Sequence, residues 1–133
     1  EPYRRQRQMC IRDRYKEIAL ITNDAKAIVI STYDLPYTVG LTTLVEAMAL
    51  GLPVITTDNM NYPIDVEVEK IGLKVPFGDI NSWKKAIEYV AIHPKEAKTM
   101  GEAGRYLAER IYNLEHFSSE VASCLLSVSD NSV

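Results

Sequence analysis

Leu35-Pro-Tyr-Thr-Val-Gly-Leu-Thr-Thr-Leu-Val-Glu-Ala-Met-Ala-Leu-Gly-Leu-Pro-Val-Ile-Thr-Thr57 reads as a loop, a short helix and a buried strand. Ala27-Ile-Val-Ile-Ser31 ahead of it and Pro53-Val-Ile-Thr-Thr57 at its end are short, β-branched apolar runs, as in a parallel sheet covered on both faces. Between them the residues predict a helix from about Thr42 to Leu50. Gly51 serves as the left-handed residue past its end, and Pro53 stops any continuation. Strand, helix and strand make a βαβ unit.

A right-handed crossover brings the loop after the first strand and the first turn of the helix to one edge of the sheet, where open parallel sheets bind ligands. A helix opening at Thr42 or Thr43 presents unpaired amides and the positive end of its dipole there, which suits a phosphate. Gly40 allows close backbone approach. Glu46 has two readings. Thr43-Leu-Val-Glu46 has the spacing of a capping box, in which the glutamate reaches back to the cap amide. Alternatively the carboxylate faces the crevice and binds a ligand, with Thr42 as the cap.

The 133 residues leave room for one domain with a sizeable core, and 47% hydrophobic with 25% charged residues is ordinary for a globular protein. No apolar run approaches the roughly 18 residues of a membrane span, and no signal-peptide pattern occurs. Cys10 and Cys124 show neither pairing nor metal spacing, so a reducing, cytoplasmic location is expected. Contact with a membrane surface stays open. Residues 1–14 differ from the rest, with five arginines and two acids. Met9-Cys-Ile-Arg-Asp-Arg14 resembles translated sequencing-adapter DNA, and the segment is read as foreign or disordered rather than as a basic arm for nucleic acid. Taking it from 15 basic and 18 acidic residues leaves 10 against 16, a net charge of −6. An acidic remainder argues against nucleic acid as a partner.

Residues 15–128 are expected to form part of a Rossmann-like domain, with 129–133 a mobile tail. Tyr15 to Asn23 ends a helical segment. Asp58 to Pro63 is a polar turn at the same sheet edge, where Asp58 is either a turn former or a site residue. Ile64 to Lys70 is a short helix or turn with Glu67 and Glu69 solvated, and Leu73 to Pro76 is a third strand. Asp79, Asn81 and Ser82 offer N-caps for a helix to Ile92 that buries Ile80, Trp83, Ile87 and Val90. His93-Pro94 breaks it. Ala97, Met100, Gly104, Leu107 and Ile111 mark the next helix, and Phe117, Val121, Leu125 and Val128 a last one capped near Ser118. His93 and His116 have no partners at metal or triad spacing. The predicted class is α/β: the second half of a Rossmann-like domain, with a short parallel sheet and flanking helices.

Thr42-Thr-Leu-Val-Glu-Ala-Met-Ala-Leu-Gly-Leu-Pro-Val-Ile-Thr-Thr-Asp58 resembles the donor-nucleotide motif of GT-B glycosyltransferases, especially family 4, and Gly72-x-x-Val-Pro-x-Gly-Asp79 is similar to a second motif of that family. The resemblance implies a C-terminal donor-binding domain, with the acceptor domain and the rest of the donor domain upstream. It implies transfer of a sugar from a nucleotide-diphosphate sugar to a sugar, lipid-linked or glycan acceptor with retention of configuration, and no metal or other cofactor. Glu46 would hold the donor ribose, and the amides of Leu41, Thr42 and Thr43 the pyrophosphate. Thr38 and Gly40 would face the donor sugar. The family has a glutamate where this chain has Thr38. A threonine cannot supply a carboxylate's two acceptor oxygens or its charge, so no catalytic residue is assigned. A glycosyltransferase-like binding or assembly subunit is the alternative. A flavodoxin-like or response-regulator-like module is a third reading, disfavoured because no acidic cluster follows a first strand.

Overall fold

The computed structural model describes residues 20–22, 24–33 and 36–130. Three strands, β1 (Ile28–Ile30), β2 (Val54–Thr57) and β3 (Gly72–Val75), form a parallel sheet in the order β1-β2-β3. Val54 pairs with Ile28 on one side and Gly72 on the other. Helix α1 (Leu41–Ala49) connects β1 to β2, and α2 (Ile80–Ile92), α3 (Pro94–Arg110) and α4 (Leu114–Asp130) follow β3. The predicted α/β architecture and element order are those observed, with each strand one residue shorter at one or both ends or shifted by one. The arginine-rich start and Cys10 lie outside the described residues; of the helix expected to end near Asn23, residues 20–22 are helical.

All four β2 side chains are buried, because helices cover both faces of the sheet. On one face Leu44, Ala47 and Met48 of α1 meet Ile30, Val54, Ile64, Val66, Ile71 and Ala108. On the other, Ala86 and Val90 of α2 and Ala97 of α3 meet Ile55 and Val75, with Trp83 packed against them. Trp83 is thus a partly buried residue packed on the core. Val54 and Ile55 serve opposite faces, as the alternation of a strand requires. Complete burial of a side chain such as Leu44 or Met48 contributes about 1.5–3 kcal/mol.

Helix α1 ends in a Schellman turn: Leu52 N donates to Ala47 O and Gly51 N to Met48 O, both at 3.0 Å, with Gly51 at φ 69°. That turn sits directly against α3. A Cβ on Gly101 would fall 2.0 Å from Gly51 O, and one on Gly104 would touch Met48. The α3 stripe is therefore Ala97, Gly101, Gly104 and Ala108, small residues that let two helix backbones approach. The larger residues expected there are displaced: Met100 is half-buried and Ile111 is exposed beyond the helix end.

Two further expectations are corrected. In α2, Ile80 is 81% exposed and Ile87 is also exposed, because Asp79 starts the helix one residue before Ile80 and turns the Ala86–Val90 stripe to the sheet. Asp79 Oδ1 accepts from Ser82 N at 3.0 Å and Oδ2 from Ser82 Oγ at 2.6 Å. In α4 the predicted buried face is exposed, with Phe117 64% and Leu125 66% accessible. The helix also starts earlier than Ser118, at Leu114, with Asn113 Oδ1 accepting from His116 N at 2.8 Å. It runs through Asp130, into the expected tail. His93 closes α2 and opens α3, stacked on Tyr89 at 4.2 Å between ring centroids.

Gly101→Ala places a methyl group against a main-chain oxygen that cannot move without opening the α1–α3 contact. It should lower the urea-unfolding stability by about 1–3 kcal/mol; an unchanged midpoint would show that this approach is not tight.

Candidate functional site

The carboxyl ends of the three strands carry polar groups on consecutive loops. Thr57, at the end of β2, is buried; its Oγ1 accepts from Thr32 N at 3.0 Å and donates to Thr32 O at 3.4 Å. This ties the segment after β1 to the end of β2. Thr38 Oγ1 donates to Asn61 O at 2.6 Å, so the segment before α1 is also held by the loop after β2.

Helix α1 opens at Leu41, not at Thr42 or Thr43. Gly40 is its N-cap, at φ 83° and ψ 6°, and no side chain caps the helix. Gly40 could carry no side chain here, since a Cβ would lie 2.7 Å from both Ile30 Cγ2 and Tyr62 Oη. The first intrahelical bond runs from Leu44 N to Gly40 O at 3.0 Å, so the amides of Leu41, Thr42 and Thr43 precede the ladder and have no acceptor within it.

The capping-box reading of Glu46 therefore fails in register. Thr43 is the third helical residue, and Glu46 lies three positions beyond where the box needs its acid. Glu46 is exposed, on the side of α1 opposite the buried Leu44, Ala47 and Met48. Thr42 and Thr43, one turn earlier, are exposed too. Spacings of three and four put these residues on one face, and the Cα–Cβ tilt of a helix leans Glu46 toward the helix start. Leu41 joins the core by its side chain and leaves only its amide for the site. Among the six expected residues, Gly40 to Glu46 are thus gathered at one helix start, whereas the Thr38 hydroxyl is engaged by Asn61.

Sequence reasoning missed a second cluster beside this helix start. A cavity of about 250 Å³ lies at the carboxyl ends of β2 and β3, lined by Thr56, Thr57, Asp58, Asn59, Met60, Tyr62, Ile64, Asp65, Val66 and Lys74. Asp58 does line it, in addition to extending the sheet ladder through its N–H to Val75 O at 2.8 Å. Lys74 Nζ lies 2.9 Å from Asp65 Oδ2 and 3.5 Å from Asp58 Oδ1. Asp65 Oδ1 also accepts from Glu67 N at 3.0 Å and Val68 N at 3.2 Å, which folds 65–68 into a turn. Glu67, expected to be merely solvated, accepts from Lys74 N at 3.1 Å. The signal available in the sequence was one lysine in an otherwise apolar Gly72–Val75 run.

Two buried polar atoms on the cavity's loop have no hydrogen-bond partner among the described residues: Asn59 Nδ2 and Tyr62 Oη. Leaving such a group unpaired costs about 1–3 kcal/mol. Burial pushes the Tyr62 hydroxyl pKa up, partly offset by the Thr56 hydroxyl. Among the described residues no group of His, Cys, Asp and Glu is placed to hold a metal ion, and no helix is long and apolar enough to cross a membrane.

The description "Glycosyl transferases group 1" fits residues 6–106 as a family model, a range that takes in part of the arginine-rich start. The chain belongs to this glycosyltransferase family, and its fold is a Rossmann-like piece of the GT-B type. It is 35% identical over 71 residues, 53% of its length, to a D-inositol 3-phosphate glycosyltransferase of Saccharomonospora viridis, of which the match covers 16%. The solved sucrose-phosphate synthase of Thermosynechococcus elongatus superposes on 87% of the chain with a TM-score of 0.72 at 27% identity, over 29% of that protein. The chain thus spans less than a third of either relative.

The Lys74–Asp65 pair should show in the pH dependence of stability. The Lys74 ammonium, then the Val68 amide, hold the Asp65 carboxyl below its usual range, and Asp65 in turn raises Lys74. The carboxylate's contribution is present above its ordinary value near 4 and lost as pH falls through the depressed one; the ammonium's is present below about 10.4 and lost as pH rises through the raised one. The stability difference between the native protein and Lys74→Met should therefore stay flat from about pH 5 to 9 and shrink toward pH 3. A difference independent of pH down to 3 would show that the pair contributes nothing.

Proposed function

We propose that this chain is the donor-binding part of a longer glycosyltransferase, which moves a sugar from a nucleotide-diphosphate sugar to an acceptor with retention of configuration. The observation that carries the proposal is the start of α1: three amides with no acceptor in the helix, a glycine that keeps side chains away, and one exposed glutamate on the same helix a turn later. The amides of Leu41, Thr42 and Thr43 take the pyrophosphate, helped by the positive end of the helix dipole. The Glu46 carboxylate accepts hydrogen bonds from the ribose hydroxyls. Gly40 and Thr38 border the donor sugar.

Catalysis in this reading is positioning of the donor and stabilisation of the departing diphosphate. The basic groups that complete charge neutralisation, and the acceptor site, belong to other parts of the protein. The enzyme would work in the cytoplasm. A second reading, a subunit that binds nucleotide-sugar without turnover, is favoured by one observation: the hydroxyl of Thr38 is spent on Asn61 O, leaving no carboxylate at that place.

In the full-length protein, Glu46→Gln should weaken binding of the matching nucleotide-sugar, found by screening UDP- and GDP-linked hexoses calorimetrically, by about 1–3 kcal/mol. The melting temperature should not move, because the side chain is exposed. Unchanged affinity would remove Glu46 from the site, and tight binding without sugar transfer would select the second reading.

A further inference from the structure

The start of α1 is set by a residue with little stiffness of its own. Gly40 holds φ 83° and ψ 6°, and no side chain caps the helix. Glycine moves between left- and right-handed backbone at little cost, and fixing it costs backbone entropy. The amides of Leu41, Thr42 and Thr43 therefore face one way in the free protein only if something outside the helix holds the segment before it.

That support comes from one turn in the loop after β2. Asn59 O accepts from Tyr62 N at 3.0 Å and Asn59 Oδ1 from Asn61 N at 2.9 Å, so the turn is closed twice, by main chain and by side chain. It meets the segment before α1 at two places. Asn61 O accepts the Thr38 hydroxyl at 2.6 Å, and the Tyr62 hydroxyl lies 2.7 Å from where a Cβ on Gly40 would fall. Tyr62 fills space beside Gly40, whereas the Thr38 hydrogen bond gives direction. The far end of the same segment is tied separately, Thr32 N and O to Thr57 Oγ1.

Donating to a carbonyl requires a proton. A threonine hydroxyl carries one and a glutamate at neutral pH carries none, so the tie to Asn61 O exists because this chain has Thr38 where the family motif has a carboxylate. We propose that Thr38 is a positioning residue: its hydrogen bond to the Asn61 carbonyl holds Gly40 left-handed and orders the amides of α1 before a diphosphate binds. A ligand meeting a segment already in place avoids the cost of ordering it. The proposal rests on the donor-binding reading and gives Thr38 a part in it beyond bordering the sugar, exerted through the helix start.

Thr38→Val removes the proton at nearly constant shape, Thr38→Ser keeps it, and Asn59→Ala loosens the turn without touching the segment before α1. Two measurements on the full-length protein separate this role from others. In the free protein, hydrogen exchange over residues 36–44, read by mass spectrometry, should be faster in Thr38→Val and Asn59→Ala than in wild type, and close to wild type in Thr38→Ser. Calorimetry should show UDP or GDP, whichever the wild type binds, weakened about two- to tenfold in the same two variants, and the matching nucleotide-sugar weakened by the same factor. A loss confined to the nucleotide-sugar would make Thr38 a direct sugar contact and overturn the proposal. Unchanged exchange or affinity in Thr38→Val, or no recovery in Thr38→Ser, would overturn it too. If the wild type binds neither diphosphate, the donor-site reading fails, while the exchange comparison still decides whether Thr38 holds the helix start.

Discussion

Complete burial of one short strand is the constraint on which the rest of this structure depends. Val54–Thr57 is hydrogen-bonded on both sides and covered on both faces, so its two apolar residues nucleate two separate cores and its two threonines must be satisfied without water. Thr56 Oγ1 donates to Thr57 O at 3.3 Å, and Thr57 joins the strand to Thr32. Close packing around the strand leaves no room elsewhere. Gly72 is required because a Cβ would lie 1.9 Å from Val54 O, and Gly101 because α3 presses on the turn that leads into the strand. Polar chemistry is thereby driven to the carboxyl edge of the sheet, where loops can still reach solvent.

The same burial aims α1. Its apolar stripe of Leu44, Ala47 and Met48 is locked into the core, and the opposite face, with Thr42, Thr43 and Glu46, has to point outward. The loop after β2 then closes on the helix start through Tyr62 and Gly40. A residue with a side-chain acceptor at position 40 could take up a helix-start amide within the protein; a left-handed glycine leaves them available.

The βαβ unit was legible because it rests on strong local signals: β-branched runs at 27–31 and 53–57, and the Gly51-Leu-Pro53 stop, which forms the Schellman turn. The family motif lay in the same stretch. The start of α1 lies one residue before the expected Thr42, because it is set by the fit of Gly40 between Ile30 and Tyr62, a contact across 22 residues that no local pattern encodes. The spacing of Ile80, Trp83, Ile87 and Val90 predicts one buried face, whereas the helix capped by Asp79 buries Ala86 and Val90. In α3 the expected stripe includes Ala97 and Gly104 but passes over Gly101, whose value is the closeness it permits. The α4 face has the periodicity of a buried stripe, yet nothing described here covers it. Asn59, Tyr62, Asp65 and Lys74 form a cluster only through strand pairing and a turn, so their proximity was not visible in sequence.

The most direct test of the account is a crystal structure of the full-length protein with a nucleoside diphosphate and, separately, its nucleotide-sugar. The account predicts phosphate oxygens within hydrogen-bonding distance of the Leu41–Thr43 amides and ribose hydroxyls on Glu46. A diphosphate bound away from the start of α1, with Glu46 still facing solvent, would contradict it.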